Sequence, residues 1–369
     1  MKIKCMKSNL LTGVNIVSKA VPSKTTMAIL ECILIDASAN SIKLISNDLE
    51  LGIETVVQGE IIENGIIALD AKIFSEMVRK LPDAEVTITT DGSFKTNITC
   101  GKSKFDIVGK SGDDFSYLPS IDTENPIVLS QLTLRDIVKQ TIFSINENDN
   151  NKLMSGELLE IEDKNLRLVA LDGHRIAIRN VELTDSYEKS KTVIPGKALS
   201  EVTKILTGGA NDKVNIFISD KHIAFIFDNT TVVSRLLEGE FFNVDNMLQS
   251  NYETKMRIYK KDLTECIDRA TLLAREGDKK PIVMDIKDGN LNLRIQSFIG
   301  SMDEDIEIEK NGKDMMIAFN PKFCLDVLRV IDDEEVEIYL LSPKAPCFIK
   351  DADETYVYMI LPVNFNAGV

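Results

Sequence analysis

Three segments with helical spacing recur in this chain: DAKIFSEMVRKL at 70–81, PGKALSEVTKIL at 195–206 and NPKFCLDVLRVI at 320–331, each starting 125 residues after the last. Lys72, Lys197 and Lys322 coincide, as do Glu76, Glu201 and Asp326, and then Arg79, Lys204 and Arg329. Positions i, i+4 and i+7 share one helix face, so each copy presents a Lys–acid–base stripe with apolar residues behind it. A second helical segment opens each unit: SNLLTGVNIVSKAV at 8–21, TLRDIVKQTIFSI at 133–145 and YKKDLTECIDRATLLAR at 259–275. The remainder alternates in short strands divided by turns such as ENG at 63–65, KDGN at 287–290 and KNG at 310–312. A period kept at charged as well as apolar positions restricts the chain to an array of equal modules. The expectation is three repeated α+β domains, 1–126, 127–252 and 253–369, each with two helices packed on antiparallel sheets of about eight strands in all.

Composition narrows the chemistry. A chain of 369 residues is long for one core. Its six cysteines (Cys5, Cys32, Cys100, Cys266, Cys324, Cys347) are scattered without a CxxC pair, and there are only two histidines. Neither a metal centre nor a cofactor is expected, and a reducing cytoplasm fits best. No stretch approaches the roughly 18 apolar residues of a membrane span, and MKIKCMKSNLL does not read as a signal peptide.

ALDGHRIA at 170–177 holds one of the two histidines, with Asp172 before it and Arg175 after it. A catalytic reading needs a nucleophile and a third partner in reach, and the sequence offers neither GxSxG, a Walker loop nor metal spacing. DGHR occupies the slot that NDLE fills in the first copy, which favours a hairpin turn carrying a half-buried histidine.

The net charge of -15 argues against nucleic acid if averaged over the chain. The charge is partitioned, however. The six helical segments carry fourteen bases against eight acids, leaving 29 bases against 50 acids elsewhere. Cationic helices in an acidic body make a field with direction, able to face phosphates on one surface only. A second asymmetry lies between the ends of the chain. GKSKFDIVGK at 101–110 is basic through Lys102, Lys104 and Lys110, whereas SMDEDIEIE at 301–309 is acidic through Asp303, Glu304 and Asp305. Unlike patches of this kind suit a head-to-tail contact between copies, with Phe105 and Ile107 packing on Leu272 and Leu273.

Within this threefold repeat, DLELGIE at 48–54, ALDGHRIA at 170–177, RLLEGEFF at 235–242 and the terminal YMILPV at 358–363 resemble the bacterial sliding clamp family, the beta subunit of DNA polymerase III, from Met1 to about Val363. The resemblance implies the DNA clamp fold: a head-to-tail homodimer closing a six-domain ring, with helices lining a hole that double-stranded DNA threads without base readout. It implies a processivity factor with no intrinsic catalytic site. Its partners would be the DNA polymerase III catalytic subunit, the clamp loader and repair proteins, all bound through short linear peptides, and loading would come from another, ATP-driven protein. The implied peptide cleft comprises Met154, Leu171, Gly173, His174, Arg175, Ile176, Phe242 and Met247, with a second subsite at Asn320, Phe323, Met359, Leu361, Pro362 and Val363. Besides the helix cations Lys72, Arg79, Lys80, Lys197, Lys204, Lys322 and Arg329, it places Lys24, Asn148 and Lys152 toward DNA. The chain departs from the family pattern at Leu171, Phe242, Leu361 and Asn364, where the family often has Thr, Pro, Met and Arg, and NFNAGV continues past Val363. Two rival readings are an enzyme using Asp172, His174 and Arg175, and a monomeric three-domain peptide-binding scaffold that does not encircle DNA.

Overall fold

The computed structural model describes residues 1–248, 251–274 and 280–365. Arg275, counted above in the fifth helix, and the last four residues of the NFNAGV tail lie outside them. The first repeat supplies β1 (Lys2–Met6), α1 (Lys7–Val17), β2 (Cys32–Asp36), β3 (Ile42–Asn47), β4 (Leu51–Val57), β5 (Gly59–Glu63), β6 (Ile66–Asp70), α2 (Ala71–Lys80), β7 (Glu85–Thr90), β8 (Lys95–Cys100) and β9 (Ser103–Val108). The second supplies β10 (Ile127–Ser130), α3 (Gln131–Lys139), β11 (Gly156–Leu171), β12 (Arg175–Pro195), α4 (Gly196–Ile205), β13 (Lys213–Ile218), β14 (His222–Phe227) and β15 (Thr230–Arg235). The third supplies β16 (Thr254–Tyr259), α5 (Lys260–Thr271), β17 (Ile282–Lys287), β18 (Asn290–Ser297), β19 (Gly300–Glu307), β20 (Glu309–Gly312), β21 (Met315–Phe319), α6 (Pro321–Leu328), β22 (Glu335–Leu340), β23 (Cys347–Lys350) and β24 (Tyr356–Ile360). Each repeat has its two helices. The described strands number nine, six and nine rather than eight apiece, because β11 and β12 form one hairpin of 16 and 21 residues.

The chain packs as two compact units, Met1–Leu134 with Lys197–Leu236, and Arg135–Gly196 with Leu237–Val369. The first holds a five-stranded sheet, β5-β1-β7-β8-β9, and an eight-stranded sheet, β10-β13-β14-β15-β4-β3-β2-β6. The second holds a seven-stranded sheet, β11-β12-β24-β23-β22-β16-β20, and a four-stranded sheet, β19-β18-β17-β21. All pairings are antiparallel. Strands of the second repeat enter both large sheets: Thr231 pairs with Glu54 where β15 meets β4, and Ala177 with Tyr358 where β12 meets β24. Sharing strands in this way satisfies backbone groups that would otherwise form exposed edges.

The helices form where caps and apolar spacing agree. Asp70 caps α2, its Oδ1 accepting from Ile73 N at 2.8 Å, and Ala71, Phe74 and Val78 are buried at positions 0, 3 and 7. Asn320 caps α6, ahead of Pro321 in the first turn. The expected helix over 133–145 stops at Lys139. Thr141, fully buried, sets its hydroxyl against Ile137 O and, at 2.6 Å, against Glu157 Oε2, and the chain continues as a 3₁₀ turn at Ile142–Ser144. All six cysteines are buried and free, and no helix among the described residues is long and apolar enough to cross a membrane.

Candidate functional site

The DGHR and NDLE slots are the same turn. Between β3 and β4, Asp48 N donates to Leu51 O, and Asp48 Oδ1 accepts from Glu50 N and Leu51 N. Between β11 and β12, Asp172 N donates to Arg175 O, and Asp172 Oδ1 accepts from His174 N at 3.0 Å and Arg175 N at 3.1 Å. Leu49 at φ 75° and Gly173 at φ 81° occupy the equivalent left-handed position. Gly173 has open space where a Cβ would sit, so Gly173→Ala is expected to lower stability by only about 1 kcal/mol, read by urea unfolding, through backbone strain alone.

The histidine is not half-buried as expected: His174 is exposed, and its ring meets Phe323 edge-on at 6.1 Å. The buried member of the turn is Arg175, 5% exposed. Its guanidinium pairs with Asp172 Oδ2 at 2.9 Å and Asp326 Oδ2 at 2.7 Å, donates to Phe143 O, and lies 4.5 Å from the centre of the Phe323 ring. Asp172 therefore holds an arginine and a turn. Both of its carboxylate oxygens are engaged, Oδ1 by the turn and Oδ2 by the guanidinium.

Beside this turn opens a cleft of about 460 Å³, lined by Met154, Leu171, Gly173, Arg175, Ile176, Phe242, Met247, Pro346, Met359 and Leu361. The walls are apolar and flexible, which suits adaptable packing. β12 and β24 assemble it: Ile176 pairs with Met359, and Leu361 N donates to His174 O at 2.9 Å. Met154 arrives on the 3₁₀ turn Lys152–Ser155, held by Asn146 N donating to Met154 O at 2.7 Å. His174, Asn320, Phe323, Pro362 and Val363 do not line this cavity. Asn320 is occupied as a helix cap, Phe323 stacks behind Arg175, and Val363 N donates to Ala318 O. Pro346 was missed by sequence reasoning; it lies in the β22–β23 turn, and no local pattern marks it.

Models of the DNA polymerase III beta subunit match three consecutive parts of the chain: the N-terminal domain at 1–119, the central domain at 128–243 and the C-terminal domain at 246–364. The chain belongs to the DNA polymerase III beta subunit family. It is 34% identical to the beta sliding clamp of Staphylococcus epidermidis over 358 residues, 94% of each chain. The crystal structure of a putative beta subunit from Eubacterium rectale matches at TM-score 0.97 and 65% identity, covering 99% of this chain and 100% of that one. The sliding clamp of Bacillus subtilis matches at TM-score 0.96 and 31% identity, with the same coverage. The fold is accordingly that of three beta-clamp domains.

In this clamp-family chain the helix cations differ in how free they are. Lys72, Arg79 and Lys80 are exposed and make no ion pair among the described residues, whereas Lys197 pairs with Asp48, Lys204 with Glu201, Lys322 with Asp326 at 3.5 Å and Arg329 with Asp268 at 3.3 Å. The stripe's cations are thus paired in the second and third copies, Lys197 and Arg329 by acids outside it, and form no ion pair among the described residues in the first. Lys24, Asn148 and Lys152 are exposed. The Asn-rich loop is stitched to itself, with Asn146 Oδ1 accepting from Asn148 N and Asp149 Oδ1 from Asn151 N. Lys102 flanks β9, which carries Lys104, Phe105 and Ile107 at one edge of the five-stranded sheet; Asp303, Glu304 and Asp305 lie on β19, at one edge of the four-stranded sheet. Glu304 is paired with Arg269, which holds its carboxyl below the usual range, and Asp305 accepts from Asn290 and Asn292, with the same effect. Leu272 is 78% exposed and Leu273 half-buried.

Proposed function

We propose that this chain, a DNA sliding clamp by family, works as a head-to-tail dimer closing a six-domain ring around duplex DNA. In that ring the exposed helix cations face phosphates, and the apolar cleft receives short peptides from the replicative polymerase, the clamp loader and repair proteins. Its three domains are 1–126, 127–252 and 253–369, it acts in the cytoplasm, and it carries out no chemistry of its own. The observation that carries the reading is a pair of sheet edges of unlike charge within one chain. The β9 edge carries Lys104 beside Lys102, and the β19 edge carries Asp303, Glu304 and Asp305, with exposed Leu272 available to pack on Phe105 and Ile107. An exposed edge is a template for another strand, and edges on two different units of one chain favour a heterologous contact that closes by rotation. Attraction to the DNA backbone through lysines and arginines carries no sequence information, so it leaves the ring free to slide.

Molar mass in solution tests the ring. The wild type is expected at twice 41.2 kDa, and Leu272→Glu, which sets a carboxylate where an apolar contact is needed, at 41.2 kDa with unchanged thermal unfolding. A wild type that stays at 41.2 kDa at micromolar concentration would overturn the ring. On nicked circular DNA loaded by a clamp loader, the protein is expected to remain bound until the circle is linearised and then to be lost from the free ends. Equal retention on circle and line contradicts topological linkage.

A further inference from the structure

Resting on the reading of the cleft as a peptide site, we infer that the cleft has a second chamber on the same sheet face, built by Tyr252, Tyr339 and Phe348, which takes an aromatic side chain flanking the anchors of the same bound peptide. One row of directly paired residues crosses six strands: Leu171 opposite Ile176, Ile176 opposite Met359, Met359 opposite Phe348, Phe348 opposite Tyr339, and Tyr339 opposite Lys255. Directly opposed residues in an antiparallel sheet point to one face, so the row is a continuous strip. Its first three members line the peptide cleft. Phe348 and Tyr339 line a separate hollow of about 220 Å³ together with Tyr252, Asn251, Lys350, Asp351 and Ala352. Phe348, Tyr339 and the cleft residues Leu171, Ile176 and Met359 share one apolar cluster with Val244 and Leu248, and Phe348 and Met359 are themselves buried, so the strip between the two hollows is packed and apolar.

The geometry specifies the occupant. Tyr252 meets Tyr339 edge-on with ring centres 5.1 Å apart, and Tyr252 is 50% exposed, leaving a ring face for a third aromatic group. Lys255 and Lys350 stand 5.3 and 5.5 Å from the centre of the Tyr339 ring, but each is already paired, with Glu337 and Glu354. The exposed Tyr252 ring therefore offers packing to an aromatic group, beside polar walls at Asn251, Lys350 and Asp351. Met359 and Tyr339 lie two strands apart, about 10 Å, which three extended residues span at about 3.3 Å each. A peptide anchored in the cleft reaches the hollow by crossing over that packed strip.

Two fluorescein-labelled peptides test this: a hexapeptide with Leu and Phe anchors, and the same hexapeptide lengthened by four residues ending in Trp, prepared with the extension at either terminus. The wild type is expected to bind one extended form about tenfold more tightly than the hexapeptide, equally at low and high salt. Tyr252→Ala should remove that gain and leave the hexapeptide unchanged, while Tyr252→Phe keeps it. Met247→Glu, in the cleft, should weaken all peptides. Equal affinity of all peptides for the wild type, or a Tyr252→Ala loss shared by the hexapeptide, overturns the second chamber while leaving the cleft intact. Hexapeptide binding that ignores Met247→Glu overturns the cleft reading, and the chamber with it.

Discussion

Arg175→Ala lowers the stability of the unit containing it by roughly 3–5 kcal/mol, the usual penalty when one partner of a buried ion pair is removed. The arginine is 5% exposed and holds Asp172, Asp326 and Phe143 O together. Its loss takes the partner from Asp172 Oδ2 and from the Phe143 carbonyl, leaves Asp326 with Lys322 alone, and removes the guanidinium that lies against the rings of Phe143 and Phe323. Thermal unfolding should fall by on the order of 10 °C. Arg175→Lys should recover little of this, because a single ammonium cannot reproduce a fork that reaches three acceptors. Arg175 also lines the cleft, so peptide affinity should fall together with stability. A variant within about 1 kcal/mol of wild type would show that the turn and α6 hold without the arginine.

Glu157→Gln is expected to flatten the pH dependence of stability on the alkaline side. Glu157 is fully buried, with Thr141 Oγ1 against one oxygen and no partner for the other. Burial penalises the carboxylate and pushes its pKa to about 8 from an ordinary value of 4.5, the Thr141 hydroxyl only partly opposing. Between those two values the folded state keeps a proton that the unfolded chain has released. Stability therefore falls as pH rises, by up to about 1.4 kcal/mol per unit from this group, and on the order of 4 kcal/mol between pH 4.5 and 8. The amide cannot ionise, so the variant should match wild type near pH 4.5 and exceed it increasingly toward pH 8. Urea midpoints across that range read the difference. Parallel curves for the two proteins would mean that Glu157 keeps a similar pKa folded and unfolded.

The charges show where local reading stops. Lys72, Lys197 and Lys322 are equivalent in sequence, yet Lys72 is free of ion pairs among the described residues, Lys322 meets Asp326 one turn on, and Lys197 meets Asp48, 149 residues away. A register of 125 residues fixes which face a lysine occupies but not which acid the neighbouring repeat brings to it. In the Asn-rich loop, which the resemblance places toward DNA, the side chains of Asn146, Asp149 and Asn151 accept from the loop's own backbone.

The modules are legible locally, because helix and strand periodicities, caps and turn residues act over a few positions and recur at a fixed spacing. Local patterning places all six helices to within a few residues, apart from the early stop of α3, and makes DGHR a turn equivalent to NDLE. Long-range pairing instead makes Arg175, not His174, the buried residue, brings Pro346 to the cleft, and aligns one row of side chains from Leu171 to Lys255. Those outcomes depend on β12 pairing with β24 and on β24 pairing in turn with β23. Such antiparallel contacts join residues more than 170 positions apart in the first pairing, and no local preference encodes their register.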